Sequence, residues 1–122
     1  MANDAVLRGV ATDGQSGAIF VGDAGRTLHF DGVAWSDAVA PTERNLHAVV
    51  NTGDLHAVAV GEYVAMQWSD GTWTPIEWGP PKDLRGICRG KDMGLWAVGR
   101  HGAVVQRVGA EDHWESVNVP TH

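Results

Sequence analysis

The chain has 122 residues, of which 43% are hydrophobic and 20% are charged, a balance typical of one globular domain and not of a disordered segment. Its net charge of −6 lacks the surplus of Lys and Arg needed for non-specific binding to nucleic acid or to an anionic membrane, so we expect neither partner. The 16 glycines and 6 tryptophans suit short strands and tight turns, and we predict an all-β protein.

The N-terminal sequence and the cysteine content are used to predict the cellular location. The first ten residues have no basic region followed by an apolar run, so no signal peptide is predicted, and no apolar stretch is long enough to span a bilayer. Cys88 is the sole cysteine, which excludes an intrachain disulfide and a cysteine metal cage. These features predict a cytoplasmic protein; an excised piece of a secreted protein would have the same features.

One pattern occurs three times along the chain. Three sets of residues carry it: Leu7, Leu46 and Leu84; the Val-Gly pairs that begin at Val21, Val60 and Val98; and, after a glycine-containing turn, Trp35, Trp73 and Trp114. Within each of the first two sets the members are 39 and 38 residues apart. Such a period is typical of repeat architectures and takes precedence over any local assignment.

Each unit divides into four short predicted strands. In chain order they are LRGVAT, AIFVG, TLHF and WSDAVA; then LHAVVN, LHAVAVG, AMQWS and WTPIEW; then LRGICR, LWAVG, AVVQRV and WESVNV. The second strand of each unit is almost wholly apolar, which predicts cover on both faces, and the fourth carries proline or acidic residues, which is typical of a sheet edge. We predict three four-stranded antiparallel blades over residues 7–42, 46–82 and 84–120.

A family resemblance follows from these units. The segments AIFVGDAGRTLHFDGVAW, HAVAVGEYVAMQWSDGTW and LWAVGRHGAVVQRVGAEDHW resemble the short WAVGxxGxIxxxDGxxW blades of bacterial β-propeller repeat proteins, which are distantly Asp-box-like. The resemblance implies a β-propeller fold but no single function, because such blades occur in unrelated binding, assembly and surface proteins. The second unit departs from the pattern at Val64, where the others have Gly25 and Gly102.

Three blades are too few for a closed ring, since propellers usually have four to eight. Unclosed, the first and last blades would expose apolar faces that soluble monomers seldom leave bare. We therefore predict a homo-oligomer, most simply a two-fold dimer that completes a six-bladed ring. A trimer with nine blades and an excised or engineered piece of a longer propeller are the alternatives.

The tryptophans fall into two groups. Trp35, Trp73 and Trp114 recur at one repeat position and are predicted to be core, and Trp96, in a buried second strand, is predicted to be core as well. Trp68 and Trp78 are not explained by the repeat. Together with Tyr63, Glu62 and Glu77 they form a candidate ligand site, because propeller lectins bind sugar between blades with Trp, Arg and Glu.

A basic side chain recurs at a second repeat position. Arg8, His47 and Arg85 directly follow the first leucine of each unit, which would place them around one end of a central channel. Such a ring of positive charge would attract an anion or an acidic partner. The alternative is that these groups are solvated or paired with carboxylates such as Asp83.

Catalytic and metal-binding patterns are absent from the sequence. The histidines have no HxH, HExxH or i,i+4 spacing, so we expect no metal and no cofactor. Tyr63 beside Glu62 is the sole choice for the tyrosine nucleophile of a sialidase, and no arginine cluster accompanies it. We predict a non-enzyme: a self-assembling protein-interaction or structural module. A carbohydrate-binding propeller and an engineered or excised fragment whose only activity is assembly are the alternatives.

Overall fold

The computed structural model describes residues 6–76, 82–90, 94–107 and 114–117. Its strands are β1 (Leu7–Thr12), β2 (Ala18–Gly22), β3 (Arg26–Phe30) and β4 (Trp35–Val39); β5 (Leu46–Gly53), β6 (His56–Gly61), β7 (Val64–Ser69) and β8 (Thr72–Pro75); β9 (Leu84–Arg89), β10 (Leu95–Gly99), β11 (Val104–Arg107) and β12 (Trp114–Ser116). Each group of four forms one sheet with antiparallel neighbours in chain order. The all-β prediction of three four-stranded antiparallel blades is confirmed, and we call these sheets blades 1, 2 and 3.

The three Val-Gly pairs end the second strands for a steric reason. A Cβ atom on Gly22, Gly61 or Gly99 would overlap the backbone carbonyl oxygen of the residue that precedes the first strand of the same blade. The first strand comes this close because its pairing with the second strand shifts register at this end. Only glycine leaves room for that approach, which explains why the pair recurs in every unit.

The turn between the second and third strands differs in length among the blades. In blade 1 the three residues Asp23–Gly25 lie between Gly22 and Arg26, and in blade 3 the three residues Arg100–Gly102 lie between the equivalent Gly99 and Ala103. In blade 2 only Glu62 and Tyr63 lie between the paired residues Gly61 and Val64. An alignment of the units on their Asp-Gly turns therefore misplaces the third strand of blade 2. Its residues are displaced by one position from their true equivalents in blades 1 and 3.

This shift changes the repeat position of Trp68. The cross-strand partners of the repeat tryptophans are Phe30 for Trp35, Trp68 for Trp73 and Arg107 for Trp114. Trp68 thus has counterparts in both other blades, whereas the sequence analysis left it outside the repeat.

The blades pack face to face in one direction along the chain. Alternate side chains of a strand point to opposite faces, so each blade has a forward face toward the following blade and a rear face toward the preceding one. The first joint buries Ile19 and Val21 of the forward face of blade 1 with Ala57, Ala59, Met66, Trp68 and Trp73 of the rear face of blade 2. The second joint buries Val58, Val60 and Ala65 of blade 2 with Leu95, Ala97, Val105 and Trp114 of blade 3.

The rear face of blade 1 is open to solvent in the described structure. Trp35 is 55% exposed, whereas Trp73 and Trp114 at the same repeat position are 8% and 7% exposed. The prediction that Trp35 is core is therefore wrong for the described residues, because none of them covers the outer side of its indole. The same is true of Val10, which is exposed, while its counterpart Val49 is buried.

The forward face of blade 3 is open in the same way. Val98 is 50% exposed, whereas Val21 and Val60 at the same repeat position are fully buried. Trp96 is also exposed, which corrects the prediction that it is core. The apolar second strand of blade 3 is covered on one face only, because no described blade follows it.

Candidate functional site

One end of the three blades collects most of the predicted site residues. This end, which we call the turn face, consists of the turns between second and third strands (23–25, 62–63 and 100–102) and the residues that begin the first strands (6–8, 45–47 and 83–85). Hydrogen bonds connect neighbouring blades here. Asn45 accepts a hydrogen bond from the backbone N–H of Ala24 at 2.9 Å, and its amide donates one to Glu62 at 3.3 Å.

Each predicted basic position on the turn face lies beside a carboxylate. Arg8 donates two hydrogen bonds to Asp23, at 2.5 and 3.3 Å. Arg85 donates two to Asp83, at 3.2 and 3.3 Å. These arginines are therefore paired, as the alternative interpretation in the sequence analysis proposed for Asp83, and they do not form a ring of uncompensated positive charge.

The third basic position is different. The His47 side chain is buried, its Nε2 atom is 3.7 Å from Glu62 Oε2, and Nε2 has no hydrogen-bond partner among the described residues. At that distance the contact is an ion pair only when the imidazole is protonated. His47 is thus held near a carboxylate without a hydrogen bond to it.

The electrostatics of the Arg8 pair follow from its geometry. The hydrogen bonds with Asp23 raise the pKa of Arg8, and the same hydrogen bonds lower the pKa of the Asp23 carboxyl. Both groups remain ionised over the physiological range. The turn face therefore presents paired positive and negative charges. Such a pattern can orient a partner of complementary charge but does not attract anions in general.

Tyr63 and Glu62 lie in the two-residue turn of blade 2, on the turn face. Tyr63 is half exposed and adopts a φ of +60°, a conformation that is uncommon for a residue other than glycine. The guanidinium of Arg44 lies 5.7 Å from the centre of its ring, within cation–π distance. This arrangement places a cation over the face of an exposed aromatic ring.

The structure separates the other predicted ligand residues from this pair. Trp68 lies five residues beyond Tyr63, about 16 Å along strand β7, and only 2% of its surface is exposed. It therefore does not present a flat ring at the rim, because its repeat position faces blade 1. Glu77 and Trp78 lie outside the described residues.

A small pocket lies between blades 1 and 2. It has a volume of about 150 Å³ and is lined chiefly by Ile19, His29, Ser36, Trp68 and Trp73. Its walls combine indole and aliphatic side chains with one imidazole and the hydroxyls of Thr27 and Ser36. A space of this size holds a single six-membered ring.

A buried carboxylate supports the pocket. Asp13 is 1% exposed, and its carboxylate accepts hydrogen bonds from the backbone N–H groups of Gln15 and Gly17 at 2.8 and 3.1 Å. The His29 Nε2 atom is 2.9 Å from the other Asp13 oxygen, and the His29 ring contacts the Trp68 ring edge-on at 4.9 Å. Burial by itself raises the pKa of Asp13, but the hydrogen bonds from His29, Gln15 and Gly17 outweigh it and hold the pKa below the ordinary value.

Sequence reasoning missed Asp13, His29 and Arg44. Asp13 stands in a TDG segment that is indistinguishable from an ordinary turn, and His29 was considered only as a metal ligand. The described residues contain no group of three His, Cys, Asp or Glu side chains arranged to hold a metal ion. A search of the same residues finds no helix long and apolar enough to cross a membrane.

Comparison with solved structures identifies the architecture. A structure described as YCF48 bound to D1 peptide aligns with a TM-score of 0.75 and 16% identity over 92% of this chain and 39% of that chain. The fold is that of a β-propeller. YCF48 from Cyanidioschyzon merolae aligns over 99% of this chain and 59% of that chain, with 12% identity and a TM-score of 0.47.

The likeness concerns the fold alone, because both identities are low. This propeller chain spans 39% and 59% of the lengths of the two structures. Comparison with protein-family models and with curated proteins finds no match.

Proposed function

We propose that this chain is a non-catalytic β-propeller module that binds a protein partner through its turn face and completes its ring by pairing with a second copy. The observation that carries the proposal is the contrast between joints and ends. Positions that are buried at both internal joints, such as those of Trp73 and Val60, are exposed at the end faces in Trp35 and Val98. Two copies would supply six blades, within the usual range for a closed ring.

The turn face supports the proposed protein partner. Tyrosine and arginine are enriched where proteins meet, and Tyr63 with Arg44 offers both in one contact. The YCF48 structure with the same fold was solved with a peptide bound. A protein partner is consistent with that precedent, which concerns the other protein and gives no position for a site here.

Solution mass tests the assembly. Sedimentation velocity from 1 to 100 µM is expected to give a species of twice 13.0 kDa that predominates at the higher concentrations. A species that stays at 13.0 kDa throughout would contradict self-assembly and favour the alternative of an excised propeller piece.

Peptide selection tests the partner surface. A displayed library of random peptides, selected against the assembled protein, is expected to yield binders that are lost on Tyr63→Ala, because the exposed ring is the largest apolar group described on the turn face. The matched control is Val33→Ala, in the exposed turn between β3 and β4. Peptides that bind Tyr63→Ala as strongly as the wild-type protein, and that compete for a common site away from the turn face, would contradict the turn face as the binding site.

A carbohydrate-binding role is the second candidate, and one observation favours it. The pocket between blades 1 and 2 is lined by two indoles and by the polar side chain of Ser36. Sugar rings stack on indoles while their hydroxyls form hydrogen bonds. A glycan array is expected to show binding that disappears with Ser36→Leu, whose larger side chain fills the pocket, and persists with Val33→Leu. Folded protein that binds no glycan on the array would exclude the carbohydrate-binding function.

A further inference from the structure

Two apolar patches remain at the ends of the described blades, and each occupies the positions of an internal joint. The rear patch of blade 1 consists of Val10, Phe20, Phe30 and Trp35. The forward patch of blade 3 consists of Cys88, Trp96 and Val98. We propose, building on the self-assembly proposed above, that the forward patch of one copy binds the rear patch of another, with Trp96 seated against Phe20, Phe30 and Trp35.

The rear patch is already organised as an aromatic surface. The Trp35 ring lies 5.6 Å from the ring of Phe20 and 4.9 Å from that of Phe30, both in tilted contacts. Phe30 has the repeat position of Trp68, and Trp35 has that of Trp73. Because Trp68 and Trp73 are buried against the preceding blade, the occupant that fits the rear patch is another forward face of the same repeat.

The forward patch fits that description. Trp96 has the repeat position of Ile19 and Val58, and both of these are buried against the rear face of the following blade. Cys88 is the cross-strand partner of Trp96 and is exposed. The joint between copies would bring one indole to three aromatic rings, so it is richer in aromatic contact than either internal joint.

The direction of the joint is fixed by the same correspondence. Both internal joints pair a forward face with a rear face, and no described joint pairs two faces of the same kind. A second copy therefore binds head to tail. Two such joints related by a two-fold axis close a ring of six blades and leave no patch exposed.

Three matched substitutions test this joint in the full chain. Val10→Asp places a charge in the rear patch, Val98→Asp places one in the forward patch, and Val33→Asp places one in an exposed turn. All three valines are at least half exposed in the single chain, so each variant is expected to fold with an unchanged circular dichroism spectrum. Val10→Asp and Val98→Asp are each expected to weaken dimer formation by at least about 30-fold, and Val33→Asp by less than about 3-fold.

Mixing two variants gives the decisive measurement. Val10→Asp retains an intact forward patch and Val98→Asp an intact rear patch, so each heterodimer has one wild-type joint, whereas each homodimer has a charge in both joints. Native mass spectrometry of an equimolar mixture is therefore expected to show more heterodimer than either homodimer, held by that one joint. The Cys88 thiol is expected to react with iodoacetamide several-fold more slowly in assembled wild-type protein than in Val98→Asp, because the joint covers it.

The outcomes separate the joint from the assembly. A wild-type dimer in which Val98→Asp still pairs while Val10→Asp does not would mean that two rear patches meet, and would overturn the head-to-tail joint while leaving self-assembly intact. A mixture in which the heterodimer is no more abundant than either homodimer would overturn it as well. A wild-type chain that stays monomeric at 100 µM would overturn both proposals, and a mass of three chains would retain the joint but overturn the six-bladed ring.

Discussion

At the scale of single residues, the blade in which a side chain lies decides how much that side chain stabilises the chain. Trp73 and Trp35 have the same repeat position and the same cross-strand geometry, yet Trp73 is covered by blade 1 and Trp35 by nothing in the described chain. The free energy gained from an indole comes from the apolar area it removes from water. The two residues should therefore respond differently to truncation.

Trp73→Ala is expected to lower the free energy of unfolding by about 3–5 kcal/mol, because it leaves a cavity in the first joint. Trp35→Ala, measured by urea denaturation at a concentration where the protein is monomeric, should cost less than about 2 kcal/mol since half of the ring is already in water. Equal losses for the two variants would contradict the difference in burial.

Asp13 predicts a specific response to pH. Its pKa is lowered in the folded protein, so the stability that it contributes is complete above the ordinary Asp value near 4 and is lost as the pH falls through the lowered value. Asp13→Asn is expected to cost about 1–3 kcal/mol at pH 7 and to flatten the decline of stability in acid. Urea denaturation between pH 7 and pH 2.5, with exposed Asp54→Asn as the control, measures both.

At the scale of elements, the turns between second and third strands and the glycines before them set the register of each blade. Blade 2 closes this turn with two residues where blades 1 and 3 use three, and the one-residue difference puts Trp68 on the rear face. In a strand a shift of one residue moves a side chain to the opposite face. Turn length thus determines which neighbouring blade Trp68 contacts.

Gly61→Ala is expected to destabilise the protein by about 1–3 kcal/mol or more, because the added Cβ would overlap the carbonyl oxygen of Asn45. Gly53→Ala is the matched control, since its Cβ would meet only His56 at 3.8 Å and its backbone has no positive φ. The thermal midpoints of the two variants give the comparison. A Gly61→Ala protein as stable as Gly53→Ala would contradict the close approach of the first strand.

At the scale of the whole molecule, two joints hold three blades and leave one face open at each end. Each joint combines apolar side chains from two sheets, so blade 2 is covered on both sides and the outer blades on one. An added joint would bury Trp35 and Val98 to the degree of their counterparts. The proposed assembly is therefore expected to couple folding stability to protein concentration.

The thermal midpoint of the wild-type chain should rise as its concentration increases from 1 to 100 µM, because association with a second copy stabilises the folded state by mass action. The midpoint of Val98→Asp should be independent of concentration over the same range. Differential scanning calorimetry at matched scan rates makes the comparison. A wild-type midpoint that does not change with concentration would contradict a stable joint.

The sequence by itself determined the all-β class, the three blades and the order of their strands. The 39- and 38-residue spacing of the leucines and the Val-Gly pairs reflects a backbone packing need that every blade shares, so it is visible without coordinates. Alternation and turn residues then give the strands, because their period of two is local. The sequence also indicated the pairing of Arg85 with Asp83, two residues apart, as the alternative to a ring of free basic groups.

Only the tertiary structure decided which repeat positions are covered and which site residues meet. The exposure of Trp35 depends on a neighbouring blade, the packing of Trp68 against blade 1 on a turn one residue shorter, and the contact between Asp13 and His29 on the pairing of distant strands. None of these is a property of local sequence. Burial and contact depend on what lies across a joint, and equivalent residues of a repeat can have different neighbours there.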